Sequence, residues 1–218
     1  MDIRKFFGTL PNSSGTNKPF KESKESKEQS SKESKLEKDE YLAIYTDGST
    51  FNNGSKTKKI YGGIGVFFGP NDPLNISKEV TSMDFPPNEG LSVSNNTCEL
   101  LAVIRGIEKL MISLGETELY KMNKMKVYSD SEYLINCVTK WYSGWERNGW
   151  KRSDKKSPVK NKYLIQRLKS YVDQFKIRLI HIKAHRNPPD VDLDHQLYKI
   201  WYGNKMADKL AREGSKNQ

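Results

Sequence analysis

Four carboxylates spread over more than 160 residues constrain this chain more than any other feature, because each stands where a fold could turn it toward a shared point. Asp47 follows the apolar run Tyr41-Leu42-Ala43-Ile44-Tyr45, and Asp130 ends the run Lys126-Val127-Tyr128-Ser129. Glu99 opens an amphipathic segment, and Asp208 lies in a second one near the C-terminus. Two strand ends and two helices must therefore converge if the acids act together. Each acid alone has an ordinary reading. Asp47 suits a turn before Gly48, Glu99 a first-turn acid complementing a helix dipole, Asp130 a cap for a helix starting near Ser131, and Asp208 a pair with Arg212. As a set they suit hard divalent cations, which take oxygen ligands. Two such ions about 4 Å apart can clamp the attacking and the leaving oxygen of a phosphodiester.

The hydrophobic periods set the frame around these acids. Residues 41–47, 60–68 and about 76–82 read as three successive strands. The glycines of Ile60-Tyr61-Gly62-Gly63-Ile64-Gly65-Val66 have no following Gly-Lys-Ser/Thr and open no helix, so they mark close backbone approach and not a phosphate loop. Leu100, Leu101, Val103, Ile104, Ile107, Leu110, Met111 and Leu114 fall at helical spacing. A strand at 126–129, helices at 131–141 and 161–175, a strand at 177–182 and a last helix at about 205–213 follow. Strands first, then alternating helices and strands, predict an α/β mixed sheet with helices on both faces.

Charge adds a partner class. The net charge is +10, of which residues 1–40 carry +1, so residues 41–218 carry +9. A basic folded region points to a polyanion. Cys98 and Cys137 fall in predicted helices, as small core residues of a reducing, intracellular compartment. Nothing in the sequence predicts a membrane span or a signal peptide. Residues 12–40, with the repeat Lys21-Glu22-Ser23-Lys24-Glu25-Ser26-Lys27-Glu28, hold too little apolar content to offset their ordering entropy and read as a linker. Ahead of it, Ile3, Phe6 and Phe7 share one side of a single helical turn, an arrangement suited to docking a disordered arm.

Thr46-Asp47-Gly48-Ser49, Asn96-x-x-Glu99, Ser129-Asp130-Ser131, a late His185 and Gly203-Asn204-x-x-x-Asp208 resemble, in order and spacing, the motifs of type 1 ribonuclease H. The stretch from Trp141 to Lys151 is similar to the hybrid-binding protrusion of the cellular enzymes. The resemblance implies a five-stranded ribonuclease H-like fold over residues 41–214, with 215–218 as a tail and 1–40 as a disordered arm. It implies an endonuclease that cuts the RNA strand of RNA–DNA hybrids to 5′-phosphate and 3′-hydroxyl ends. Asp47, Glu99, Asp130 and Asp208 would hold two Mg²⁺ ions, with Mn²⁺ as a substitute, and His185 would assist proton transfer or product release. Asn53, Asn96 and Thr97 match positions on the RNA strand. Tyr133, Trp141, Trp145, Ser153 and Asn161 match positions on the DNA strand. Val93 and Asn95 stand where the family's DNA-phosphate pocket has an arginine and a threonine, so that Asn95 is a partial replacement. Seventeen residues, Arg186 to Tyr202, stand where the family has only a few; they read as an inert or modulatory surface loop whose acids are solvated. Met1–Gly8 resembles the peptide that binds sliding clamps (PCNA). A monomer removing RNA primers or R-loops during replication is the expectation, in a nucleus or a cytoplasm alike. Two alternatives stand beside it: an inactive, clamp-tethered hybrid-binding scaffold, and a resolvase- or integrase-type nuclease of the same fold.

Overall fold

The computed structural model describes residues 41–53, 57–122, 124–154, 156–184 and 186–216. The expectations for Ile3, Phe6, Phe7, the linker and His185 lie outside the described residues. Among those described, five strands form one sheet: β1 (Leu42–Phe51), β2 (Tyr61–Phe67), β3 (Ile76–Val80), β4 (Met125–Ser129) and β5 (Arg178–His181). Their order is β3-β2-β1-β4-β5, antiparallel among the first three and parallel across β1-β4-β5. The helices are α1 (Asn95–Leu114), α2 (Glu116–Met122), α3 (Glu132–Asn136), a π-helical turn (Cys137–Trp141) running into α4 (Tyr142–Arg147), α5 (Lys162–Gln174) and α6 (Gln196–Lys216). No helix among the described residues is long and apolar enough to cross a membrane.

The two-residue period of β2 assigns the two faces. Gly62 and Val66 meet α1: a Cβ on Gly62 would lie 2.8 Å from Cys98 Sγ, and one on Gly106 would lie 3.0 Å from Val66. Gly63 and Gly65 meet α6, where a Cβ would lie 2.2 Å from the Ala211 carbonyl oxygen and 2.0 Å from that of Ala207. The glycines therefore mark close approach, as the sequence predicts. Ile44 of β1 and Leu100, Ile104, Ile107 and Leu110 of α1 are almost wholly buried, as the helical spacing of the apolar residues requires. Cys98 and Cys137 are free and buried.

Several boundaries differ from the sequence reading. Strand β1 runs four residues beyond Asp47, because its antiparallel ladder with β2 extends to Phe51↔Tyr61. Helix α1 begins at Asn95, since Ser94 and Thr97 form a reciprocal cap, so Glu99 sits in its second turn. The largest difference is α6. It starts at Gln196, nine residues before the expected helix, and continues to Lys216, so residues 215 and 216 are helix and not tail. The second half of the expected surface loop is thus two helical turns. Tyr202 supplies the reason: its ring lies 5.8 Å from that of Phe67 and 6.2 Å from that of Tyr198, so this segment has an apolar face to pack.

Candidate active site

The parallel ladder between β1 and β4 ends at Tyr45↔Tyr128, whereas β1 itself continues. Two positions further along each strand stand Asp47 and Asp130, level with each other across the gap where pairing has stopped. Brevity of β4, and not the end of β1, is what opens the site. Glu99 arrives from the α1 face because Gly48 has no side chain: a Cβ there would lie 2.3 Å from the Glu99 nitrogen. Asp208 arrives from the other face. Asp47 pairs with Gly65, Gly65 lies against the Ala207 carbonyl, and Asp208 is the next residue of α6. Gly203 adds a second close approach of α6, over the Tyr45 ring.

The electrostatics follow from this approach of the acids. Burial pushes the Asp47 carboxyl well above the usual carboxylate range, and the charges of Asp130 and Asp208 push it further, against one hydrogen bond from the Gly48 N–H at 2.8 Å. Glu99 is pushed up to about 7, first by burial and then by Asp130, while hydrogen bonds from Ser131 and Asn95 act against the shift. Ser131 Oγ donates a short bond to Glu99 Oε2, and Asn95 Nδ2 donates to Oε1 at 3.0 Å. Arg212 Nε donates to Asp208 at 2.7 Å, and Asn204 Nδ2 reaches Asp130 at 3.5 Å. These partners fix the orientation of the individual acids. Among the described residues no three His, Cys, Asp or Glu side chains close into a metal-holding cluster. The structure therefore brings the four acids within electrostatic reach of one another and does not converge them. Hard cations fit the donor set on two observations. The charges of the acids act on one another, and the buried Asn204 Oδ1, on the side chain that touches Asp130, has no hydrogen-bond partner.

The expected contact residues sort differently. Asn53 and Asn96 are exposed. Thr97 is buried, with its hydroxyl donating to the Ser92 carbonyl at 2.8 Å and capping α1, so its side chain is turned away from solvent. Asn95 is occupied by Glu99 and by the Thr50 hydroxyl at 3.1 Å, which makes it a support for the acid. On the protrusion, Tyr133, Trp141 and Trp145 form a chain of rings 6.3 and 5.5 Å apart, with Trp141 41% exposed. Asn161 Nδ2 donates to the Tyr133 hydroxyl at 3.0 Å, tying two expected DNA-side residues together. Ser153 is exposed nearby in the chain. Trp150, which the sequence reading left without a role, is the buried anchor of the protrusion, 6.1 Å from Trp145 and 5.2 Å from Tyr142.

Sequence reasoning missed Asn204 as a partner of Asp130 and Ser131 as a partner of Glu99. Both stood inside quoted motifs, Ser131 next to Asp130 and Asn204 four residues before Asp208. It also missed His181, at the end of β5, whose Nε2 lies 3.2 Å from the Asp130 carbonyl oxygen.

Comparison with known proteins follows the same lines. The RNase H family model matches residues 39–216. The chain is 30% identical over 177 residues to human ribonuclease H1, covering 81% of this chain and 51% of that one. It is 33% identical over 181 residues to a ribonuclease H of Dechloromonas aromatica, covering 82% of this chain and 96% of the bacterial protein. The chain thus spans about half the length of the human relative and nearly all of the bacterial one. Among solved structures it resembles LC9-RNase H1, described as a type 1 RNase H with the type 2 active-site motif, with a TM-score of 0.51, 20% identity and coverage of 81% and 72%.

Proposed function

The chain belongs to the RNase H family, and on that premise we propose that it is a type 1 ribonuclease H, an endonuclease that hydrolyses the RNA strand of RNA–DNA hybrids to 5′-phosphate and 3′-hydroxyl ends. The observation that carries the proposal is that Asp47, Glu99, Asp130 and Asp208 come within electrostatic reach of one another where the β1-β4 ladder stops. Two unit charges about 4 Å apart repel by roughly 4 kcal/mol at an effective dielectric of about 20, so four acids in one place favour cations. Asp47, Glu99, Asp130 and Asp208 would hold two Mg²⁺ ions, or Mn²⁺ in their place, which when bound supply charge neutralisation and Lewis acidity at the scissile phosphate.

The chain's own residues do the rest. Gly48 N–H, Ser131, Asn95 and Asn204 orient Asp47, Glu99 and Asp130. Arg212 restrains Asp208 until it turns inward. His185 takes or returns a proton, a task suited to an imidazole with an unperturbed pKa near 6.5. Asn53 and Asn96 face the RNA strand, where the 2′-hydroxyl is the available marker. Trp141, Trp145, Tyr133, Ser153 and Asn161 face the DNA strand, where flat rings pack on deoxyribose and a 2′-hydroxyl would intrude. The charge of +9 on residues 41–218 favours phosphate binding. Removal of RNA primers or R-loops by a monomer, inside a reducing compartment and tethered to a sliding clamp through Ile3, Phe6 and Phe7, completes the proposal.

The test is cleavage of matched hybrid, duplex RNA and duplex DNA with and without Mg²⁺, beside Asp130→Asn. Hybrid alone is cut, only with metal. The variant binds hybrid with near-parent affinity and does not cut it, because affinity comes mostly from phosphate contacts. Near-normal turnover by Asp130→Asn overturns the assignment of the acids.

A further inference from the structure

A groove of about 900 Å³ runs from Asp130 and Asp208 along the segment that follows β5 and the first turns of α6. Its charge is unlike that of the acids at its head. Lys183, Arg186, Lys205 and Arg212 line it. Arg212 is engaged with Asp208, but among the described residues neither Lys183 nor Arg186 forms an ion pair, and both are exposed. The groove also has an aromatic wall. Trp201 Nε1 donates to the Arg186 carbonyl oxygen at 2.8 Å, which fastens the start of the insertion to α6. Lys205 Nζ sits 4.9 Å from the centre of the Trp201 ring, a cation–π contact that keeps the ammonium at the groove wall. Arg186, Pro188, Pro189 and Trp201, which all line the groove, belong to the Arg186–Tyr202 insertion, so the insertion builds a wall continuous with the catalytic acids.

We propose that this groove binds the unpaired continuation of the RNA strand as it leaves the catalytic acids. The inference rests on the activity proposed above, which places the RNA strand at Asp130 and Asp208. Two observations select a single strand. Cations without carboxylate partners call for phosphate, and a trough that continues from the active site and is bordered by an aromatic side chain is the arrangement that single-strand binders share. Trp201 is a positioning residue, since its indole fixes Arg186 and Lys205 and leaves them to make the phosphate contacts.

The experiment uses the full chain and short hybrids of one core sequence: blunt, with an unpaired RNA extension at either end, or with an unpaired DNA extension. Binding is measured in the Asp130→Asn background and KM in the parent. One RNA extension raises affinity on the order of tenfold at low salt. Two phosphate contacts on a single strand steepen log K against log salt by about 1.4. Arg186→Ala with Lys205→Ala removes both the gain and the added slope, while blunt hybrid is bound and cut as before. Lys209→Ala with Lys216→Ala, an equal loss of charge outside the groove, keeps the gain. The groove assignment is overturned by any of three results in a protein that cuts blunt hybrid: no gain from either RNA extension, a gain that survives the Arg186/Lys205 change, or a gain from the DNA extension alone. Equal loss in both double variants also overturns it, as general electrostatics. Failure to bind or cut blunt hybrid defeats the activity proposal itself, and the groove with it.

Discussion

Replacing Gly65 with alanine places one methyl group between the two halves of the site. The new Cβ would lie 2.0 Å from the Ala207 carbonyl oxygen and 2.5 Å from the Ala211 nitrogen. Both are backbone atoms of α6, so no side chain can swing aside, and the helix itself has to move. Overpacking of this kind costs typically about 1–3 kcal/mol, and backbone contacts this short belong at the upper end. Alanine recovers roughly 0.5–1 kcal/mol that glycine loses in a strand. The net expectation is a loss of about 2 kcal/mol, or a fall in Tm of about 4–8 °C for a domain of this size. Activity falls further than stability, because Asp47 pairs with Gly65 and Asp208 follows Ala207, so the displacement separates those two acids. Gly144→Ala is the matched control: nothing lies within 4 Å of its added Cβ, and helix propensity predicts a gain of about 0.5–1 kcal/mol with unchanged cleavage. Urea unfolding and hybrid cleavage under saturating Mg²⁺ give both readouts. If Gly65→Ala is as stable and as active as Gly144→Ala, the close packing of α6 on β2 is not what assembles the site.

Glu99, raised to about 7 from the usual value near 4.5, binds its proton more tightly folded than unfolded. Stability without divalent cations therefore falls as pH rises through that window, by on the order of 3 kcal/mol. Urea titrations in chelator at pH 5 and 8 should show the fall in the parent and far less of it in Glu99→Gln; equal slopes refute the assignment. Trp141→Ala with Trp145→Ala should weaken hybrid binding by on the order of 1–3 kcal/mol per ring and narrow selectivity over duplex RNA, measured by competition. Unchanged affinity and selectivity would make these rings purely structural. Deletion of residues 1–40 should leave cleavage of short free hybrids nearly unchanged, since it removes only +1 of charge, and should abolish capture by a sliding clamp. Phe6→Ala with Phe7→Ala should abolish capture likewise, and calorimetry of residues 1–20 against the clamp, if it shows no heat at high micromolar concentration, refutes the docking role.

Strand and helix identities were legible because the relevant signals are local. The glycines of β2 alternate toward two helices, and the apolar residues of α1 repeat at helical spacing. The acids were legible as a set because each sits in a short polar motif beside an apolar run. What was hidden depends on partners distant in sequence. The early start of α6 depends on Tyr202 packing on Phe67, while Pro188, Pro189 and the solvated Asp190, Asp192 and Asp194 made the same stretch look like a loop. Trp141 and Trp150 stand in one polar, aromatic stretch, yet one is exposed and the other buried, because the left-handed turn at Gly149 and Trp150 folds Trp150 under the protrusion. Thr97 carried two roles in one motif, and the cap on α1 took its hydroxyl.

Helix α6 lies across β1, β2 and β3, the first three strands to be made, and it also carries Asp208. At a synthesis rate of about 5–20 residues per second, a ribosome delivers Asp208 roughly 8–30 s after Asp47. Through that interval the glycine face of the sheet waits for the helix that covers it, exposed to chaperones and to other nascent strands. Such a polypeptide holds all four acids only once α6 has been made, so messenger fragments that lack the α6 codons should yield aggregation-prone products and not partly assembled sites.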